Sequence, residues 1–168
     1  MNESDETNDA AASGATARWG APSTAKERTA VQRAVDRLLD ALAPERIVAR
    51  SASPPVPIER YRTRRGCILQ APTAAVSVSW FPDAAQDGAT GELHIVAWRG
   101  VLSHPGSARR TAGAAIVREL ALRPVDCGTD AWEWRATDGS LHDLQAVVAL
   151  CRELLEAQTG GDAGADRS

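Results

Sequence analysis

The chain has 168 residues, 43% hydrophobic and 24% charged, with a formal net charge of −3. That length suits one domain with tails, and the composition is that of an ordinary globular chain rather than a disordered or membrane-embedded one. No window approaches the roughly 18 consecutive apolar residues of a spanning helix. The opening MNESDETNDAAASG is acidic and polar where a secretory signal is basic and then apolar, so a cytoplasmic protein is expected.

Residues 1–22 are rich in Ala, Ser, Thr, Asn and Asp, with Trp19 the lone large apolar group, too little burial to offset the entropy of ordering. They read as a disordered acidic arm, residues 159–168 as a disordered tail, and residues 23–158 as a single domain. The acidity belongs to the tails, because residues 1–17 hold Glu3, Asp5, Glu6 and Asp9 and no base.

Within the domain, Val31, Val35, Leu38, Leu39 and Leu42 recur at three- and four-residue spacing and predict a helix from Thr24 to Leu42. Thr24 with Glu27 forms a capping box, and Pro44 ends the helix. The proline-rich stretch RSASPPVPIERYRTRRG, beginning at Arg50, has no period and reads as a surface linker.

From Gly66 the period becomes two. Residues 67–70, 74–81, 92–98, 114–122 and 130–136 alternate or are rich in strand formers, each bounded by turn residues, which predicts five antiparallel strands in a meander. The connection from Arg99 to Gly113 is the longest, a length at which loops tend to be functional. Ser140 with Asp143 suggests a second capping box, and Leu141, Leu144, Val147, Val148, Cys151, Leu154 and Leu155 form the stripe of a last helix ending at Gly160. The fold expected is α+β, an open five-stranded antiparallel sheet with an N-terminal and a C-terminal helix packed on one face.

Alternation then assigns the faces. Trp132 and Trp134 fall with Val76, Val78, Trp80, Leu93, Ile95, Ala97, Ile116, Leu120 and Leu122 on an apolar inner face, which only Arg118 interrupts. The outer face collects Ser77, Ser79, His94, Val96, Trp98, Val117, Glu119, Ala121, Arg123, Glu133 and Arg135. Its plain reading is a solvated surface with ion pairs such as Glu119 with Arg135. Its sharper reading is a surface for a protein partner or a second copy, built from His94, Trp98, Arg99, Glu119, Arg123, Glu133 and Arg135.

A basic cluster gives the alternative. Residues 46–65 carry six arginines against Glu59, and residues 99–123 carry five against Glu119. Arg60, Tyr61, Arg62, Arg64 and Arg65, joined by Arg109 and Arg110, would suit a polyanion or nucleic acid, although the acidic isoelectric point opposes this.

Enzymatic signals are weaker. His94, His104 and His142 lack metal-ligand spacing, Ser103–His104 is no triad, and neither a dinucleotide fingerprint nor a P-loop is present. No cofactor or metal is therefore expected. An enzyme would need Glu119, Glu133 and His94 to converge in one pocket. Cys67, Cys127 and Cys151 form no CxxC pair and read as buried free thiols. The leading expectation is a non-enzymatic binding or adaptor domain acting through the outer sheet face and the 99–113 loop.

Overall fold

The computed structural model describes residues 24–43, 57–82, 90–102, 113–128 and 131–159. The acidic arm lies outside these residues, as does the tail apart from Thr159. Helix α1 spans Ala25–Ala41 and begins with the expected capping box, the Glu27 amide donating to Thr24 Oγ1 at 3.2 Å and the Thr24 amide to Glu27 Oε2 at 2.7 Å. Its stripe of Val31, Ala34, Val35, Leu38 and Ala41 is buried.

Seven strands follow among the described residues: β1 (Glu59–Thr63), β2 (Gly66–Gln70), β3 (Ala74–Phe81), β4 (Glu92–Arg99), β5 (Ala115–Asp126), β6 (Trp132–Ala136) and β7 (Leu141–His142). They pair antiparallel in sequence order, so the α+β class and the meander hold while the strand count rises from five to seven. Helix α2 (Leu144–Thr159) packs on β3, β4, β6 and β7, and α1 packs against α2.

Both extra strands escape a search for apolar alternation. The linker ends in β1, ERYRT, which holds no aliphatic residue; Tyr and Thr favour a pleated backbone, and the arginine stems supply the apolar cover. β7 takes Leu141 and His142 out of the expected helix, leaving Leu141 50% exposed. Asp143 rather than Ser140 caps α2, its Oδ1 accepting from the Ala146 amide at 2.7 Å. Ser140 instead belongs to the β6–β7 turn, where its amide donates to Asp138 Oδ1 at 2.9 Å.

The core lies between the inner sheet face and the helices. It includes Leu69, Val76, Val78, Trp80, Leu93, Ile95, Leu122 and Trp134 from the sheet, with Val35 and Leu38 from α1 and Val147, Cys151 and Leu155 from α2. Trp80 and Trp134 meet edge to face with ring centroids 6.1 Å apart, the arrangement favoured by aromatic quadrupoles. Trp132 is half-buried at the margin.

Ile116 does not join the core. The β4–β5 register shifts between Ala97, opposite Arg118, and Trp98, opposite Ile116. The extra residue, Val117, makes a bulge that turns Ile116 to the outer face, where it is 57% exposed. Arg118 stays across from inner-face Ala97, yet is exposed.

Gly66 closes the β1–β2 hairpin where no side chain fits, since a Cβ there would lie 1.9 Å from the Val78 carbonyl oxygen. At the other end of the sheet Gln70, buried beside Ala75 rather than in the core, donates to the Ala74 carbonyl at 2.8 Å and accepts from the Leu102 amide at 2.9 Å. It thereby fixes the first residues of the 99–113 loop against the β2–β3 turn.

Candidate functional site

Strand register organises the outer face into cross-strand rows. One runs Tyr61, Ile68, Ser77, Val96, Glu119; the next holds Ser79, His94 and Ala121; a third holds Ala75, Trp98 and Ile116. The fourth begins with Phe81 and Glu92 and continues through Arg123 and Arg135 to Leu141. Helix α2 packs on the opposite face and α1 packs against α2, rather than both lying directly on the sheet as expected, so among the described residues neither helix covers these rows.

His94 stands at the centre. Its Nε2 lies 3.2 Å from Glu92 Oε2 and its Nδ1 3.7 Å from Glu119 Oε1, while the Phe81 ring lies 4.8 Å away. Arg123 Nε donates to Glu92 Oε1 at 2.9 Å. Desolvation alone would raise the Glu92 carboxyl, but the hydrogen bonds and charges of His94 and Arg123 outweigh it and hold the group below the ordinary carboxylate range. Trp98 Nε1 donates to Ser77 Oγ at 3.0 Å, laying the indole across β3.

The structure therefore brings His94 and Trp98 together with Glu119 and Arg123, and keeps Glu133 and Arg135 on the same face. Arg99 departs from the expected set: it pairs with buried Ala74 and shares the parity of Ala97, which puts it on the helix face. Glu92 is the residue missed. It sits two residues before His94 on one strand, so alternation alone places both on one face. Arg123 bonds Glu92, and Glu119, expected to pair across strands with Arg135, lies 3.7 Å from His94.

Glu119 and Glu133 do not make a catalytic pair. Glu119 pairs with Val96, whereas Glu133 pairs with Val125, six residues farther along β5, a separation of roughly 20 Å at strand rise. The convergence that an acid and base require is missing for these two. Among the described residues no group of three His, Cys, Asp or Glu side chains is arranged to hold a metal ion.

The basic cluster divides. In the β1–β2 register Arg60 and Arg62 face buried Leu69 and Cys67, hence the helix side, whereas Tyr61 faces Ile68 on the outer side and donates to Glu59. That carboxylate bond raises the Tyr61 hydroxyl above its ordinary value. Arg109 and Arg110 lie outside the described residues, as does most of the 99–113 loop.

What remains of the cluster lines a cleft of about 620 Å³ between α1 and the β1–β2 hairpin tip. Arg60, Arg62, Arg64 and Arg65 line it together with Gln32, Asp36 and Thr63, and Val35, Leu39, Trp80 and Phe81 supply apolar wall. Arg60 donates through Nη2 to the Leu39 carbonyl at 2.6 Å, supplying to the C-terminal end of α1 the cation that its own last turn lacks. Its Nε is buried with no hydrogen-bond partner, as is Thr63 Oγ1. Arg65 stacks over the Phe81 ring with its guanidinium carbon 4.7 Å from the centroid. Arg62 lies 3.6 Å from Asp40, but both side chains are largely exposed, so that pair is weak.

Of the cysteines, Cys67 and Cys151 are buried as expected, and Cys127 is exposed. Desolvation raises the Cys67 thiol, with Arg60 beside it opposing the rise. Among the described residues no helix is long and apolar enough to cross a membrane. Comparison of the chain with protein-family models, with curated proteins and with solved structures gives no match.

Proposed function

We propose that this chain is a binding domain for a small organic anion, a phosphate or carboxylate attached to an apolar group, taken into the cleft between α1 and the β1–β2 hairpin. One observation carries the reading: four arginines line one concave space whose wall also holds Trp80, Phe81, Val35 and Leu39. Guanidinium groups hold phosphate and carboxylate oxygens through charge-assisted, often bidentate hydrogen bonds, and the apolar wall would take the rest of the ligand. A cleft of about 620 Å³ has the scale of a small-molecule site, which favours a compact ligand over a nucleic-acid strand.

Titration calorimetry with phenyl phosphate and with inorganic phosphate tests this. Phenyl phosphate should bind more tightly, and the exposed-position variants Arg62→Ala and Arg65→Ala should each weaken it by about tenfold while melting like the parent. Unchanged affinity in both variants, or no heat at millimolar ligand, would overturn the reading. Tight oligonucleotide binding with a steep salt slope would replace it with a polyanion site.

A further inference from the structure

The outer sheet face offers a second surface, which meets the cleft at Phe81, and we infer that it is the interface of a face-to-face homodimer. The charge pattern identifies the second copy as occupant. Across β4 and β5 the outward residues pair as Glu92 with Arg123, His94 with Ala121, Val96 with Glu119 and Trp98 with Ile116. A two-fold axis lying parallel to the strands, between β4 and β5, sets each residue opposite the other copy of its own cross-strand neighbour. Glu92 then meets Arg123, and Trp98 meets Ile116, twice each. Acid faces base at one end and apolar side chains face each other at the bulged end, with no like charges opposed in either pairing.

The bulge gives this its reason. A regular β5 would turn Ile116 inward, but the extra residue Val117 delivers it outward beside Trp98 and leaves Ile116 57% and Val117 42% exposed. Neighbouring Trp98 is already oriented by its bond to Ser77 Oγ. Two twisted sheets pack with their strands roughly 30° apart and about 10 Å between planes, which suits the short outward side chains of Ala121 beside the axis and Ser77 and Ser79 one strand away. Five strands at about 4.8 Å spacing and six to eight residues of rise give a face of roughly 500–600 Å² on each copy, or near 1,000–1,200 Å² in all. That lies at the lower bound for a specific interface, so the dimer should be reversible and concentration-dependent.

Sedimentation velocity on the full chain over a micromolar to high-micromolar series tests the inference. The parent should shift from monomer toward dimer, while Ile116→Glu and, independently, Ala121→Arg should remain monomeric with an unchanged circular dichroism spectrum. Lys26→Glu on exposed α1 should dimerise like the parent. A parent that stays monomeric throughout overturns the proposal, as it would if the chain's own residues covered this face. Dimerisation of both outer-face variants at parental strength overturns it as well, by moving the interface elsewhere.

Discussion

Replacing Trp134 with alanine tests the assignment of the two sheet faces most directly. Trp134 is 1% exposed and is the largest of the fully buried side chains, set edge to face against Trp80 at 6.1 Å. Burying about 200 Å² of indole at about 25 cal/mol per Å² gives an upper bound near 5 kcal/mol, which denatured-state compactness lowers. Loss of the ring pair adds about 1 kcal/mol, so Trp134→Ala should cost roughly 3–5 kcal/mol. Trp132 shares the inner parity but sits half-buried at the margin, and its alanine variant should cost less than half as much. Urea denaturation followed by far-ultraviolet circular dichroism measures both. A cost below about 1.5 kcal/mol for Trp134→Ala, or a larger one for Trp132→Ala, would refute the facial assignment.

Gly66→Ala should lose at least about 2 kcal/mol in the same assay, because the clashing atom is the Val78 backbone carbonyl and cannot rotate away; a neutral substitution would show that the hairpin has room to move. Under native conditions iodoacetamide should label Cys127 alone, with Cys67 and Cys151 reacting only on unfolding, and early labelling of more than one thiol would contradict the core. Partial desolvation and the neighbouring Glu133 raise the Cys127 thiol, so its labelling rate should keep climbing to higher pH than that of a free cysteine, as mass spectrometry across a pH series would record. Glu92 titrates below its ordinary value in the folded chain, so its contribution to stability is present above the ordinary carboxylate range and fades as pH falls through the depressed value. Arg123→Ala should therefore melt below the parent near neutrality and converge with it in acid; a gap that persists at low pH would rule out the ion pair as its source.

The parts of the fold legible in the sequence are those where burial writes a period. Helix α1, the five strands with an apolar face and the stripe of α2 show because one face of each enters the core, and water exclusion selects the residues there. β1 hides because an edge strand flanked by arginines needs no aliphatic residue, and charge at the edge also discourages pairing with a further strand. β7 hides because two residues are too few to show alternation, and Leu141 mimics the first turn of the helix that follows. The bulge is local backbone geometry that alternation cannot express, although Arg118 within an apolar set marks the place where strict alternation fails.

The candidate surfaces divide along the same line. Outer-face residues His94, Trp98, Glu119 and Arg123 follow from parity, and Glu92 was available to the same rule. The cleft was legible only in part, because its arginines crowd a single stretch of sequence while Gln32, Asp36, Trp80 and Phe81 arrive from elements far away in the chain. Parity also removes Tyr61 from those arginines, which argues against an aromatic-and-arginine platform for extended nucleic acid and leaves a concave site walled by α1. Arg60 links this site to the fold itself. The residue that holds the Leu39 carbonyl at the end of α1 also lines the cleft, so an anion bound to it would tighten the junction between α1 and the sheet edge.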